Sequence, residues 1–143
     1  MSWFVNTIDL LGDTTVIDSI IEGTIEEFYD NVLDVIGMHS FSNCKKLKYV
    51  NFTNVKNIKD NAFSDCASLN TFVLSSENLC VLSWNSLTGT PIASGTGYIY
   101  VPRALVDSYK VATNWTTFAS QFRALEDYTV DGTVTGELDE SKI

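Results

Sequence analysis

Apolar residues in the middle of the chain recur in a fixed phase, at an offset of 22. Ile36, Phe41, Cys44, Leu47, Val50 and Phe52 are matched in turn by Ile58, Phe63, Cys66, Leu69, Phe72 and Leu74. The phase extends backward, with Ile25, Phe28 and Leu33 preceding Leu47, Val50 and Val55. Forward it weakens: Cys80 falls 22 after Ile58, and Leu87 takes the part of Phe63 once two residues are inserted. Self-similarity at such a period marks stacked units, each of which buries its apolar face against the next. The alternation at 50 and 52, and at 72 and 74, predicts a strand with one buried face, and stacked identical units pair such strands into a parallel sheet. From Phe41 to Leu47 the apolar spacing of three predicts a short helix or 3₁₀ turn returning the chain, with Asn43 and Asp65 suited to turns.

The repeated unit runs from Ile36-Gly37 to Phe52, then from Ile58 to Leu74 with Ala62-Phe63. This pattern resembles the BspA-type leucine-rich repeat, whose family motif is Ile-Gly-x-x-Ala-Phe-x-x-Cys-x-x-Leu-x-x-Val-x-Leu. Ser40 stands where the motif has Ala, Lys59 where it has Gly, and Val55 where other leucine-rich repeats carry a ladder asparagine. The resemblance implies an α/β repeat fold, a short leucine-rich-repeat solenoid of about three units with a C-terminal strand-helix cap. The stretch from Gly89 to Trp115 looks like the module that often closes such repeats in bacterial surface proteins and prophage-encoded structural proteins.

Physics also asks for a cap, because a solenoid exposes its core at each end. Gly97-Tyr-Ile-Tyr-Val101 reads as a last strand, and Pro102 suits a helix start. Leu105, Tyr109 and Ala112, then Trp115, Phe118 and Phe122, carry helical spacing in two pieces. The expected organisation is one domain. Residues 1–23 form an N-terminal cap and incomplete repeat, 24–90 the repeats, 91–128 the C-terminal cap and 129–143 a tail. Within the first of these, Thr15–Glu22 is the partial repeat, and Trp3–Leu11 suits helix or strand.

Charge changes the picture of partners. The 143-residue chain has a net charge of -9, so phosphate backbones repel it and no nucleic-acid partner is expected. Residues 1–44 hold eight acids and no Lys or Arg. Residues 45–59 hold Lys45, Lys46, Lys48, Lys56 and Lys59 and no acid, and the remainder is acidic again. Such runs are usually solvated faces. The alternative is head-to-tail self-association between the acidic start and the lysine band. No apolar run reaches the roughly 18–20 residues of a membrane-spanning helix, so no membrane insertion is expected. The first residues lack the cationic start of a secretory leader, so export by that route is not expected unless a leader was removed.

Catalytic chemistry finds few candidates. His39 is the only histidine, and its repeat equivalent is Asn61, which places it in a loop without a triad or metal cluster. There is no Cys-x-x-Cys, no Gly-rich phosphate loop and no calcium-loop spacing, so neither metal nor cofactor is expected. Cys44 and Cys66 share a repeat position, and strand spacing brings them within disulfide reach. They are either a redox staple or two buried thiols acting as small hydrophobes, and the motif favours the thiols. Asn51-Phe-Thr53 and Asn114-Trp-Thr116 match the glycosylation acceptor. Trp3, Trp84, Trp115, Tyr98 and Tyr100 suggest a sugar platform, although aromatics at strand and helix spacing are more often core. Trp84 stands apart, because the pattern does not place it inside.

With 47, 50 and 52 inward, the outward rows are Glu27, Tyr29, Asn31; Tyr49, Asn51, Thr53; and Thr71, Val73, Ser75. Repeat arrays bind partners on such extended faces. The expected function is a non-catalytic module contacting a protein or glycan at a bacterial cell surface or on a phage particle. The alternative is a capping or assembly module of such a particle.

Overall fold

A computed structural model describes Ile20, residues 22–130, and Thr133–Val134. The Trp3–Leu11 segment and the partial repeat before Ile20 lie outside these residues. Strands β1 (Glu27–Asp30), β3 (Tyr49–Phe52) and β5 (Thr71–Leu74) pair in parallel, with Phe28 against Val50 against Phe72. The pairing offset equals the period of the sequence. Phe28, Val50, Phe52, Phe72 and Leu74 all face the core.

Each unit also contributes a second, shorter strand that the apolar phase does not announce. Strands β2 (Val35–Ile36), β4 (Asn57–Ile58) and β6 (Val81–Leu82) form a separate three-stranded parallel sheet. Leu82 pairs with Ile58, so Leu82 is its successor and Cys80 is not. The two inserted residues therefore fall before β6, and from there the offset widens by two.

The third side holds turns in place of the expected helix or 3₁₀ turn. Ser40, Ser42 and Cys44 donate backward over three residues, as in a 3₁₀ helix. The alternate N–H groups of His39, Phe41 and Asn43 instead donate sideways to Asp60, Ala62 and Ser64 of the next unit. Asn61, Phe63 and Asp65 do the same to Trp84, Ser86 and Thr88. This alternation requires left-handed residues at two places per unit: His39 and Asn43, Asn61 and Asp65, Asn85 and Gly89. Asn, Asp, His and Gly tolerate that conformation better than other types, and it breaks any helix. Ser40 replaces alanine without penalty, because its hydroxyl donates to the Gly37 carbonyl at 2.6 Å.

Past the repeats, the chain departs from the expected order. Helix α1 (Pro91–Ser94) is capped by Thr90, and β7 (Tyr98–Val101) joins the large sheet beside β5. Helix α2 (Val106–Lys110) and a 3₁₀ segment (Thr116–Gln121) follow. β7 is not the last strand, because Phe122 opens β8 (Phe122–Ala124), which pairs in parallel with β7. The spacing of Phe122 from Trp115 and Phe118 mimics a helix. Its backbone instead extends along the edge of β7, and Gln121 Nε2 is tied to the Gly97 carbonyl at 2.7 Å. The large sheet thus runs β1-β3-β5-β7-β8, and a short hairpin of β9 (Thr129–Val130) and β10 (Thr133–Val134) ends the described chain.

β1 ends on Asp30, opposite Phe52, in a position apolar in the next two units. It is 2% exposed, and its Oδ2 accepts the N–H groups of Leu33 at 2.6 Å and Val32 at 3.0 Å. Burial raises its carboxyl above the ordinary value, and the two N–H bonds pull it partly back. Its folded pKa exceeds its unfolded pKa, so protonation favours the fold. That contribution is full below the unfolded value and lost as pH rises through the folded one. Asp30→Asn keeps an acceptor without the charge, so it should match or exceed wild-type stability at pH 7 in urea unfolding. Asp30→Ala orphans both N–H groups and should lose about 1–3 kcal/mol.

Candidate functional site

The outward face of the large sheet carries two rows set by strand register. One runs Glu27, Tyr49, Thr71, Tyr98; the next runs Tyr29, Asn51, Val73, Tyr100, Arg123. Aromatic contacts link these rows. Tyr29 and Tyr49 lie 5.0 Å apart, Tyr49 and Tyr128 6.4 Å, Tyr128 and Tyr100 4.8 Å, and Tyr100 and Tyr98 6.4 Å. The Arg123 guanidinium closes the series 4.5 Å above the Tyr98 ring. Five of the six tyrosines therefore form one arc across the sheet.

The sequence placed Asn51 and Val73 as open binding positions, yet both are 0% exposed. Val73 is buried outside the main core cluster, on the sheet's other face. Tyr128 enters between Tyr49 and Tyr100 and helps fill the middle of that face. Asn51 Nδ2 donates to the Tyr49 hydroxyl at 3.0 Å, and Asn51 Oδ1 has no partner. Burial of Asn51 also removes its match to the glycosylation acceptor from the surface. Glu27 and Asn31 are exposed, whereas Tyr29, Tyr49, Thr53, Thr71 and Ser75 are half-buried. Nothing in the repeat phase marks Tyr128, which lies outside the periodic segment.

The face is held neutral in its centre. Tyr49 is raised well above the ordinary phenol value by burial and by neighbouring Tyr128, against the hydrogen bond from Asn51. Burial also raises Tyr100, and Arg123 opposes this. Both phenols stay protonated at neutral pH and can donate as well as accept.

The other sequence candidates separate cleanly. Trp115 is a core residue. Trp84 is 66% exposed and Tyr98 38% exposed. Trp3 lies outside the described residues. His39 Nδ1 lies 3.3 Å from Ser42 Oγ, and that hydroxyl donates to the Asn61 carbonyl, so the pair serves the turn. Cys44, Cys66 and Cys80 are free and buried. Hydrogen bonding with Cys44, and burial behind it, holds Cys66 far above the ordinary thiol range; burial pushes Cys80 up to about 12. Cys66 and Cys80 are therefore poor nucleophiles at neutral pH, whereas the hydrogen bond with Cys66 lowers Cys44 against the opposing effect of burial. Among the described residues no group of three His, Cys, Asp or Glu is placed to hold a metal. No helix among them is long and apolar enough to cross a membrane.

Comparison with known families supplies one match, to the BspA type leucine rich repeat region (6 copies), over residues 24–94. No curated protein and no solved structure matches the chain. The matched stretch runs from just before β1 through α1, and so contains the three stacked units with their two parallel strand ladders. Repeat regions of this family act generally as interaction modules rather than enzymes. The chain belongs to the BspA-type leucine-rich repeat proteins.

Proposed function

We propose that the chain is a non-catalytic binding module of a bacterial cell-surface or phage-related protein, and that it holds a protein partner on the tyrosine arc. The arc itself carries this reading. Tyrosine offers large, rigid contact area with a polar tip, and it is enriched where proteins bind one another. The strands fix the rings in place, so little conformational freedom is lost on binding. Arg123 beside Tyr98 adds the other residue type common in binding hot spots.

The five lysines of residues 45–59 are all exposed, which favours charge-driven assembly as a second reading. Lys48 meets Glu26 of its own chain at 3.7 Å, an exposed pair of little energetic weight.

Tyr29 and Tyr98 stand toward opposite ends of the arc, and neither is a partner in the buried Asn51–Tyr49 hydrogen bond. Replacing both with Ala should leave the unfolding midpoint within a few degrees of wild type. In a capture screen against purified bacterial and host surface proteins, the same change should weaken any partner by about 100-fold, the loss of two hot-spot rings. Equal capture by both forms would place the partner site elsewhere.

A further inference from the structure

We propose that the turn of the third unit and the 3₁₀ segment Thr116–Gln121 form a separate binding site for one neutral sugar ring. Trp84 is its platform. The fold turns this position away from the core: Met38 and Asp60 hold the same turn position in the preceding units, Met38 exposed and Asp60 half-buried. The Trp84 carbonyl accepts the Asn61 N–H at 3.2 Å, and the next residue, Asn85, is left-handed with φ 57°. The indole is thus exposed on a fixed backbone.

Beside it lies a cleft of about 220 Å³, with Trp84 and residues of the 3₁₀ segment among its lining. Drug-sized ligands take about 300–1,000 Å³, so this cleft suits a single ring. Leu82, Leu87 and Phe118 supply its apolar lining, and no charged residue lines it. The polar groups there are short and neutral. The Ser83 and Thr117 hydroxyls make no hydrogen bond among the described residues. Asn85 uses only its oxygen, accepting from Thr88 at 3.2 Å. Asn114 spends its Nδ2 on the Leu82 carbonyl at 2.8 Å, which leaves its oxygen to accept. A pyranose presents this combination in reverse, with a C–H face to lay on an indole and hydroxyls that both donate and accept. A phosphate, carboxylate or ammonium group would find no counter-charge.

The chain has three tryptophans, so indole N–H signals in nitrogen–proton correlation spectra read the site directly. Titration with methyl glycosides of glucose, galactose and N-acetylglucosamine should shift the Trp84 signal saturably for at least one of them, with Kd on the order of 1 mM. Trp84→Ala removes an exposed side chain and should leave folding intact while weakening binding at least about 10-fold. Thr117→Val keeps the shape and should weaken it about 5-fold. Tyr29→Ala combined with Tyr98→Ala should leave the shift unchanged, which separates this site from the tyrosine arc. No saturable shift with any of the three glycosides would overturn the proposal. So would binding that survives Trp84→Ala, or tighter binding of the anionic methyl glucuronide.

Discussion

Replacing Trp115 with Ala is expected to cost about 3–5 kcal/mol, a large share of the roughly 5–15 kcal/mol that holds a domain folded. Trp115 is 1% exposed and meets Tyr109 edge-on at 5.3 Å and Phe122 at 5.8 Å. Its Nε1 donates to the Cys80 carbonyl at 2.8 Å, while the Cys80 N–H donates to the Tyr109 hydroxyl at 2.7 Å. The two side chains therefore satisfy both backbone groups of one residue just before β6, where the two inserted residues widen the repeat. Truncation removes the ring contacts, opens a cavity and orphans a buried carbonyl together. Urea unfolding followed by circular dichroism measures the loss. Trp115→Phe keeps an aromatic ring and part of the volume but loses the donor and the rest of the indole, so it should fall between wild type and Ala. A cost below about 1 kcal/mol for Trp115→Ala would mean that the region after Val101 adds little to the stability of the units.

The residues most legible in the sequence were those whose role repeats. Phe28, Val50 and Phe72 announce a register because stacking puts the same residue class at the same place in every unit. β2, β4 and β6 escaped because two-residue strands are too short to show alternation. The turn side was half legible. Asn43 and Asp65 indicated turns, but helical apolar spacing arises equally from turns whose alternate N–H groups cross to the next unit. β8 was missed for the related reason that Trp115, Phe118 and Phe122 carry helical spacing while Phe122 is extended. For the candidate site, strand alternation placed Asn51 and Val73 correctly on the outward face. It could not show that the face is covered there, because the covering Tyr128 belongs to no repeat and its position is set by long-range packing. Periodicity reports which side of a strand a residue occupies; it is silent on what non-periodic chain later lies across that side.

Phe63 is the central test of the column itself. It stacks on Phe41 at 5.0 Å with rings 6° from parallel, and meets Phe72 at 5.2 Å edge-on and Phe52 at 6.1 Å. It thereby joins the phenylalanines of two adjacent units. Phe63→Ala should cost about 3–5 kcal/mol, since the surrounding β3, β5 and turn backbone are cross-linked by hydrogen bonds and can collapse only partly onto the gap. The chain itself supplies the control. Leu87 occupies the same ladder position in the third unit, beside Ser86, whose carbonyl accepts the Phe63 N–H at 3.0 Å. Phe63→Leu should therefore fit the turn geometry and cost well under half of the Ala change. Hydrogen exchange locates the damage. In a stack where each unit contacts only its neighbours, Phe63→Ala should speed exchange at the amides of β3 and β5 alike. Loss confined to β5 would show that the units behind Phe63 hold together without it, and that the aromatic column is not continuous in energy although it is continuous in space.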